Sequence, residues 1–207
     1  MKLAIFGATG KTGIELVKQA LEQEHVVTAF VRDPARLMIE DERLTMVTGD
    51  VFDPDSVAQA VQKQDAVICA LGAGNDLKKT TVRTTGTINI ISGMQKHNVK
   101  RLMVVTAMGV GESWDTLSLF NKFFFATLLK SSREDHEAQE AAVKESGLDW
   151  TIIRASGLTD EPRTGVYDVG ENIPANTSKI ARADVADLII KTLAQNTRIG
   201  KAVTITN

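Results

Sequence analysis

The segment Gly7-Ala8-Thr9-Gly10-Lys11-Thr12-Gly13 lies between an apolar run, Leu3-Ala4-Ile5-Phe6, and a helix-like stretch from Ile14 to Leu21. A glycine-rich turn that leaves a buried strand and opens a helix exposes unpaired backbone N–H groups at the positive end of the helix dipole. Such a turn suits a pyrophosphate. Two phosphate-binding patterns compete for it. Gly10-Lys11-Thr12 has the ending of the triphosphate-cradling loop G-x-x-x-x-G-K-[ST], but that loop requires glycine where this chain has Ile5. The pattern that remains, G-x-x-G-x-x-G, is one residue wider at its start than the common dinucleotide fingerprint. Its glycines serve the same ends, namely a tight turn, close approach to phosphate, and close packing of helix on strand.

A second strand-like run, Val26-Val27-Thr28-Ala29-Phe30-Val31, ends at Arg32-Asp33-Pro34. That is about twenty residues beyond the glycines, where the ribose-reading residue of a dinucleotide site belongs. An acidic residue at this address accepts the 2′-hydroxyl of NAD. Arg32 comes first here, and a guanidinium pairs with a 2′-phosphate and lies flat on adenine. The expected cofactor is therefore NADP(H), with Arg36 as a second phosphate contact. Asp33 can point either way, and a solvated loop charge is the competing reading of Arg32.

Composition narrows the class. With 207 residues, 43% hydrophobic and 24% charged, the chain supports one substantial core. A single domain spanning 1–207 is expected. A net charge of -2 with scattered basic residues supplies no electrostatic pull toward nucleic acid or anionic membrane. Neither is an expected partner. The lone Cys69 stands in Ala66-Val67-Ile68-Cys69-Ala70-Leu71 and reads as a small core residue. No run is apolar and long enough to span a bilayer and no signal peptide precedes the first strand, so a cytoplasmic protein, monomeric or weakly dimeric, is expected.

Strand-like and helix-like segments alternate along the whole chain, the pattern of a parallel sheet covered on both faces. Further strands are expected at Leu44–Thr48, Ala66–Leu71, Arg101–Thr106, Trp150–Arg154 and Ala202–Ile205. Helical periodicity covers Asp55–Val61, Thr85–Lys96, Arg133–Ser146 and Arg182–Gln195, with a stop at Gly147. The fold class is α/β, a Rossmann doubly wound parallel sheet. Ligands of such sheets bind at the carboxyl ends of strands, so Gly7, Arg32, Asp50, Gly72 and Thr106 should converge on one crevice.

These landmarks occur within longer motifs. Ala4-Ile5-Phe6-Gly7-Ala8-Thr9-Gly10-x-Thr12-Gly13, Val31-Arg32-Asp33, Gly49-Asp50-Val51, Gln64-Asp65-Ala66-Val67-Ile68, Leu71-Gly72, Asn75-Asp76-Leu77 and Thr80-Thr81-Val82 appear in order. Asp135-His136, Glu145-Ser146-Gly147-Leu148 and Thr164-Gly165-x-Tyr167 extend the set over nearly the whole chain. The chain resembles the biliverdin-IXβ reductase and flavin reductase family, an atypical branch of the short-chain dehydrogenases. The resemblance implies that Gly7, Thr9, Gly10, Lys11, Thr12 and Gly13 form the pyrophosphate turn. It implies that Arg32 contacts the 2′-phosphate and that Asp50 and Val51 lie on the adenine side. Leu71 and Gly72 would line the ribose, and Thr106 with Ala107 would end the fifth strand beside the nicotinamide. Gly157 and Leu158, in the loop after the sixth strand, would face the nicotinamide. Proteins of this kind reduce flavins and open-chain tetrapyrroles with NADPH over a shallow, permissive substrate site.

Two positions depart from the family. Ala107 stands where a serine often follows the threonine of the fifth strand, and Gly157 stands where a histidine can follow the sixth. The usual short-chain dehydrogenase pair Tyr-x-x-x-Lys is missing as well, because Glu171 follows the only tyrosine, Tyr167, by four residues. Without a tuned phenol, oxidation of ordinary secondary alcohols and sugar-nucleotide epimerisation lose their acid/base group. Hydride transfer to a flavin, bilin or quinone-like acceptor needs mainly positioning. No catalytic residue is assigned. His136 has two readings, a border of the nicotinamide crevice or a surface helical histidine. His136-Glu137-x-x-Glu140 lacks the second histidine of a zinc motif, and no metal is expected. Arg83, in the loop after the fourth strand, faces substrate carboxylates or is a surface charge. Trp114 stacks on the ligand or anchors its loop. Phe120, Phe123, Phe124 and Phe125, with Leu117, Leu119, Leu128 and Leu129, form a helical packing face, an aromatic lid or a partner face. The expected activity is an NADPH-dependent reductase of a planar acceptor; the alternative is a non-catalytic NADP(H)-sensing regulator that binds a protein partner.

Overall fold

The computed structural model of the chain describes residues 1–72, 81–116, 130–174 and 179–207. The regular elements are β1 (Lys2–Phe6), α1 (Lys11–Glu22), β2 (Val26–Val31), β3 (Leu44–Thr48), α2 (Pro54–Val61), β4 (Ala66–Cys69), α3 (Val82–Lys96) and β5 (Arg101–Ala107). They continue with α4 (Lys130–Glu145), β6 (Asp149–Ala155), β7 (Gly157–Thr159), β8 (Asp168–Gly170), β9 (Lys179–Ala181), α5 (Arg182–Ala194) and β10 (Lys201–Thr206). Short 3-10 turns occupy Pro34–Arg36 and Gly111–Thr116.

Eight strands form one sheet in the order β3-β2-β1-β4-β5-β6-β10-β8, parallel except where β8 runs against β10. β7 and β9 pair separately, in parallel. The expected α/β doubly wound fold is present, and the seven strands read from the sequence are all in the main sheet. The three short strands β7, β8 and β9 carry no run of alternating or continuous apolar residues, so no periodicity announced them.

Why the strands are almost wholly apolar follows from what covers them. Leu3 and Ile5 pack into one core with Leu16, Val17 and Ala20 of α1 and Val185, Leu188 and Ile189 of α5. Ala4 and Phe6, pointing the other way, pack with Val57 and Val61 of α2, Ile90 and Met94 of α3, and Val143 of α4. Side chains alternate across a strand, so a helical layer on each face demands an apolar residue at every position. Each fully buried leucine or isoleucine contributes about 2 kcal/mol. The helix starts are capped from different sources. Asp53, followed by Pro54, accepts the Asp55 N–H at 3.1 Å for α2. The first turn of α3 is capped by α4, whose Asp135 Oδ1 accepts the Thr84 N–H at 3.1 Å.

The strand order reverses between β1 and β4, which opens a crevice at their carboxyl ends. The glycine turn lies there. Gly7 has φ +83°, and a Cβ on it would fall 2.4 Å from the Ala70 carbonyl oxygen. The fourth strand, expected to reach Leu71, ends at Cys69, because Ala70 is drawn against the turn. A Cβ on Gly13 would lie 2.1 Å from the Gly7 carbonyl oxygen, so α1 begins directly on the turn. At Gly72 a Cβ would meet nothing within 4 Å. Gly13→Ala is therefore expected to cost about 2 kcal/mol or more through backbone displacement. Urea denaturation checks this against Gly72→Ala, whose midpoint should stay at the wild-type value; equal midpoints for the two variants would contradict the packing argument.

Candidate functional site

α1 starts at Lys11 with Gly10 as a cap residue that offers no side-chain hydrogen bond. The first intrahelical bond runs from the Ile14 N–H to the Gly10 carbonyl at 2.8 Å. The N–H groups of Lys11, Thr12 and Gly13 precede that bond and have no partner within the helix. They fit a pyrophosphate. Gly7, Thr9, Gly10, Lys11, Thr12 and Gly13 are brought together around this opening. One contact was not foreseen: Lys11 and Arg182, the first residue of α5, both pair with Asp160, just beyond β7. The carboxylate stands between two cations at the mouth of the turn.

The next strand end carries the residues expected on the ribose side. The Gly49 N–H donates to the Val31 carbonyl at 3.0 Å, which brings Arg32 beside Asp50. Arg32 and Arg36 are exposed and form no ion pair with the described residues. Asp33 is engaged within its own loop, where its Oδ1 accepts the Ala35 N–H at 3.1 Å and caps the Pro34–Arg36 turn. The guanidinium of Arg32 is thus available to a ligand, while one oxygen of the Asp33 carboxylate is held in the turn. Asp50 is exposed and accepts the Phe52 N–H at 3.0 Å, while Val51 is buried and its carbonyl accepts from Asn89 at 2.8 Å. Leu71 lies against Gly86 of α3, and Gly72 leaves open space above β4. A dinucleotide fits this run of free N–H groups, free guanidinium and unfilled glycine.

On the far side of the crevice several expectations change. The Thr106 side chain does not face a ligand; its hydroxyl is buried and donates to Glu140 Oε1 at 2.9 Å. Only its backbone, with Ala107, borders the strand end. Gly157 and Leu158 form β7 rather than a loop, exposed and paired with Lys179 and Ile180. Arg83 is not in a loop or on the surface: it is the second residue of α3, and it pairs with the buried Asp135 at 3.3 Å. Trp114 has its ring under the Arg133 guanidinium, 4.4 Å from the centroid, which favours the loop-anchoring reading. His136 is not a surface histidine. It is 9% exposed, and its Nδ1 is 3.2 Å from Gln139 Oε1. The Phe-rich segment, Phe120 to Phe125 with its leucines, and the motif Asn75-Asp76-Leu77 lie outside the described residues.

Behind the crevice a charged cluster replaces apolar packing. Arg154, in the middle of the sheet and 1% exposed, donates to Glu140 Oε1 at 3.0 Å and Oε2 at 2.6 Å, and to Glu112 at 2.6 Å. Gly111, at φ +55°, leaves room for the guanidinium; a Cβ there would lie 2.6 Å from it. The Arg154 hydrogen bond holds the Glu112 carboxyl down at about 2. Sequence reading missed this group. Its signal was a lone arginine in the otherwise apolar Trp150–Arg154 strand, which a buried position obliges to find a carboxylate.

A family model described as NAD(P)H-binding matches residues 7–196. The chain belongs to this NAD(P)H-binding family. An uncharacterised chloroplastic protein of Arabidopsis thaliana is 30% identical over 217 residues, covering 99% of this chain and 76% of that protein. The photosystem II assembly factor Ycf39 of Synechocystis is 25% identical over 95% of this chain and 61% of its own length. Among solved structures, ChuY, an anaerobilin reductase of Escherichia coli O157:H7, superposes with TM-score 0.83 at 24% identity, covering 100% of this chain and 97% of that one. A short-chain dehydrogenase/reductase of Veillonella parvula in complex with NADP does so at 0.83 and 19%, covering 100% and 94%. These two share the fold. No helix among the described residues is long and apolar enough to cross a membrane.

Two expectations follow from the buried groups. Removing one partner of the central ion pair strands the other charge, so Arg154→Met should cost about 3–5 kcal/mol and the double variant Arg154→Met/Glu140→Leu should recover much of it. Urea midpoints of the three proteins check this. Burial, followed by the neighbouring Arg83, pushes the His136 imidazole down to about 4. A histidine held neutral in the fold loses stability as pH falls from its unfolded value near 6.5 toward 4, because only the unfolded chain takes up the proton there. The midpoint should fall across that window, and the slope should flatten in His136→Gln.

Proposed function

We propose that this NAD(P)H-binding protein is an NADPH-dependent reductase of planar conjugated acceptors of the flavin, bilin or quinone class, akin to the biliverdin-IXβ and flavin reductases. The observation that carries the reading is Arg32 at the end of β2, exposed and in no ion pair with the described residues, beside an Asp33 whose Oδ1 caps the following turn. A guanidinium at that address supports a 2′-phosphate over a 2′-hydroxyl. Bound NADPH supplies the hydride. The chain holds the cofactor: the N–H groups of Lys11, Thr12 and Gly13 take the pyrophosphate, Arg32 and Arg36 the 2′-phosphate, and Asp50 and Val51 the adenine side. Leu71, Gly72, Ala107, the Thr106 backbone, Gly157, Leu158 and His136 surround the nicotinamide end.

The acceptor class is supported by what the chain lacks. Tyr167, the sole tyrosine, donates its hydroxyl to Asp187 at 2.7 Å, and burial with that carboxylate pushes its ionisation well above the usual range. It is a poor proton donor. An acceptor that takes hydride into a delocalised ring and collects its proton from solvent suits such a site. The likeness to a photosystem II assembly factor favours the regulatory reading as the second choice.

Arg32→Ala should weaken NADPH by about 2 kcal/mol, near thirtyfold, and leave NADH within about twofold, as measured by calorimetric titration. Equal losses for both cofactors would overturn the 2′-phosphate assignment. Steady NADPH oxidation with FMN, biliverdin or a quinone supports the reductase. Tight cofactor binding with no turnover across that panel supports the regulator.

A further inference from the structure

α4 crosses between the adjacent parallel strands β5 and β6, so it runs back from the carboxyl edge of the sheet to the amino edge. Its residues can be placed by height. Glu140 meets Thr106 near the end of β5, and Gln139 reaches Cys69, the last residue of β4. His136 is one turn earlier, about 4.5 Å further along the axis, and therefore stands at the crevice beyond the strand ends. Arg83 of α3 and Asp135 of α4 are the charged groups that flank it, and Cys69 of β4 lies beneath as a buried thiol.

The imidazole's tautomer follows from the orientation of the Gln139 amide. Gln139 Nε2 lies 2.9 Å from Thr87 Oγ1 and 3.7 Å from Cys69 Sγ, and Thr87 Oγ1 is 3.5 Å from the same sulfur. With the amide nitrogen turned to this buried cluster, the amide oxygen faces His136. An amide oxygen only accepts, so in this orientation Nδ1 carries the ring proton. In a neutral ring Nε2 is then a bare acceptor. It has no hydrogen-bond partner among the described residues, and the residue keeps a narrow opening to solvent.

We propose that His136, held by Gln139 as the neutral Nδ1–H tautomer, is a specificity-determining residue whose Nε2 accepts an N–H of the reducible substrate at the end of β4. The inference rests on the reductase reading and divides its acceptor classes. Flavins present a ring imide N–H and bilins present lactam and pyrrole N–H groups, whereas a simple quinone presents acceptors only. A buried acceptor facing a ligand with no donor is left unpaired, which costs binding. His136 thus selects flavin or bilin chemistry over quinone. Gln139 is a positioning residue that acts through the histidine.

Two arms test this, and neither requires turnover. In the free protein at pH 7, long-range 15N–1H correlation spectra should show a protonated Nδ1 and a bare Nε2 for His136, and Gln139→Leu should shift the ring toward a tautomer mixture. A protonated Nε2 in the wild type would overturn the proposal. In the complex with NADP+, quenching of flavin fluorescence should show lumiflavin binding about tenfold more tightly than N3-methyllumiflavin. His136→Leu should bring that ratio close to one, and His136→Gln, which keeps an acceptor oxygen at similar reach, should restore part of it. A ratio near one in the wild type, or one unchanged in His136→Leu, would overturn the proposal. Absence of NADPH oxidation with every acceptor would instead overturn the reductase reading and leave both arms measurable.

Discussion

Gly7 and Ala70 touch backbone to backbone at the point where the strand order reverses, and the site is arranged around that contact. A side chain on Gly7 would enter the Ala70 carbonyl, and one on Gly13 would enter the carbonyl of Gly7 itself. With neither present, β1 turns directly into α1, β4 ends early against the turn, and the first N–H groups of α1 open toward the crevice instead of toward a side-chain cap. The ends of β2 and β3 then bring Arg32 and Asp50 side by side at the same edge of the sheet. The unfilled space at Gly72 leaves a path along the sheet edge.

The opposite wall is built on different physics. α4 turns Asp135, His136, Gln139 and Glu140 inward, four polar residues at the spacing of one helical stripe. Each finds a partner. Asp135 caps α3, His136 bonds Gln139, Gln139 joins Thr87 and Cys69, and Glu140 meets Thr106 and Arg154. Hydrogen bonds tie this wall together, with His136 Nε2 left without a partner among the described residues, while the glycine turn is open backbone. The Asp160 carboxylate, shared by Lys11 and Arg182, is an exposed tie between these two regimes, pinning the segment after β7 to the glycine turn.

Most of the sheet was legible because a strand buried on both faces is largely apolar, and β1, β2, β4 and β5 read as apolar runs with few polar interruptions. Element ends were less legible. Helices α1, α2 and α3 start one to three residues earlier than their apolar periodicity suggested, since first-turn residues such as Lys11, Pro54 and Val82 lie outside the periodic stripe. The strands β7, β8 and β9, three residues each, are defined by pairing with distant partners rather than by their own side chains. The polar stripe of α4 reads in sequence as a solvated face, because charge and amide groups look alike whether they meet water or one another.

The order of residues by itself determined the layered α/β fold and the dinucleotide turn, since both rest on local rules: apolar continuity in covered strands, and glycine where a Cβ has no room. It also placed Arg32 at the end of the second strand. Only the tertiary structure decided what the other polar groups around the crevice do. It showed Asp33 Oδ1 capping the next turn, Arg83 paired with Asp135, the Thr106 hydroxyl turned onto Glu140, and His136 buried with one ring nitrogen held at Gln139. Two of those outcomes, Arg83 with Asp135 and Thr106 with Glu140, depend on partners dozens of residues apart meeting at hydrogen-bond distance, and the spacing of residues along the chain carries no measure of that distance.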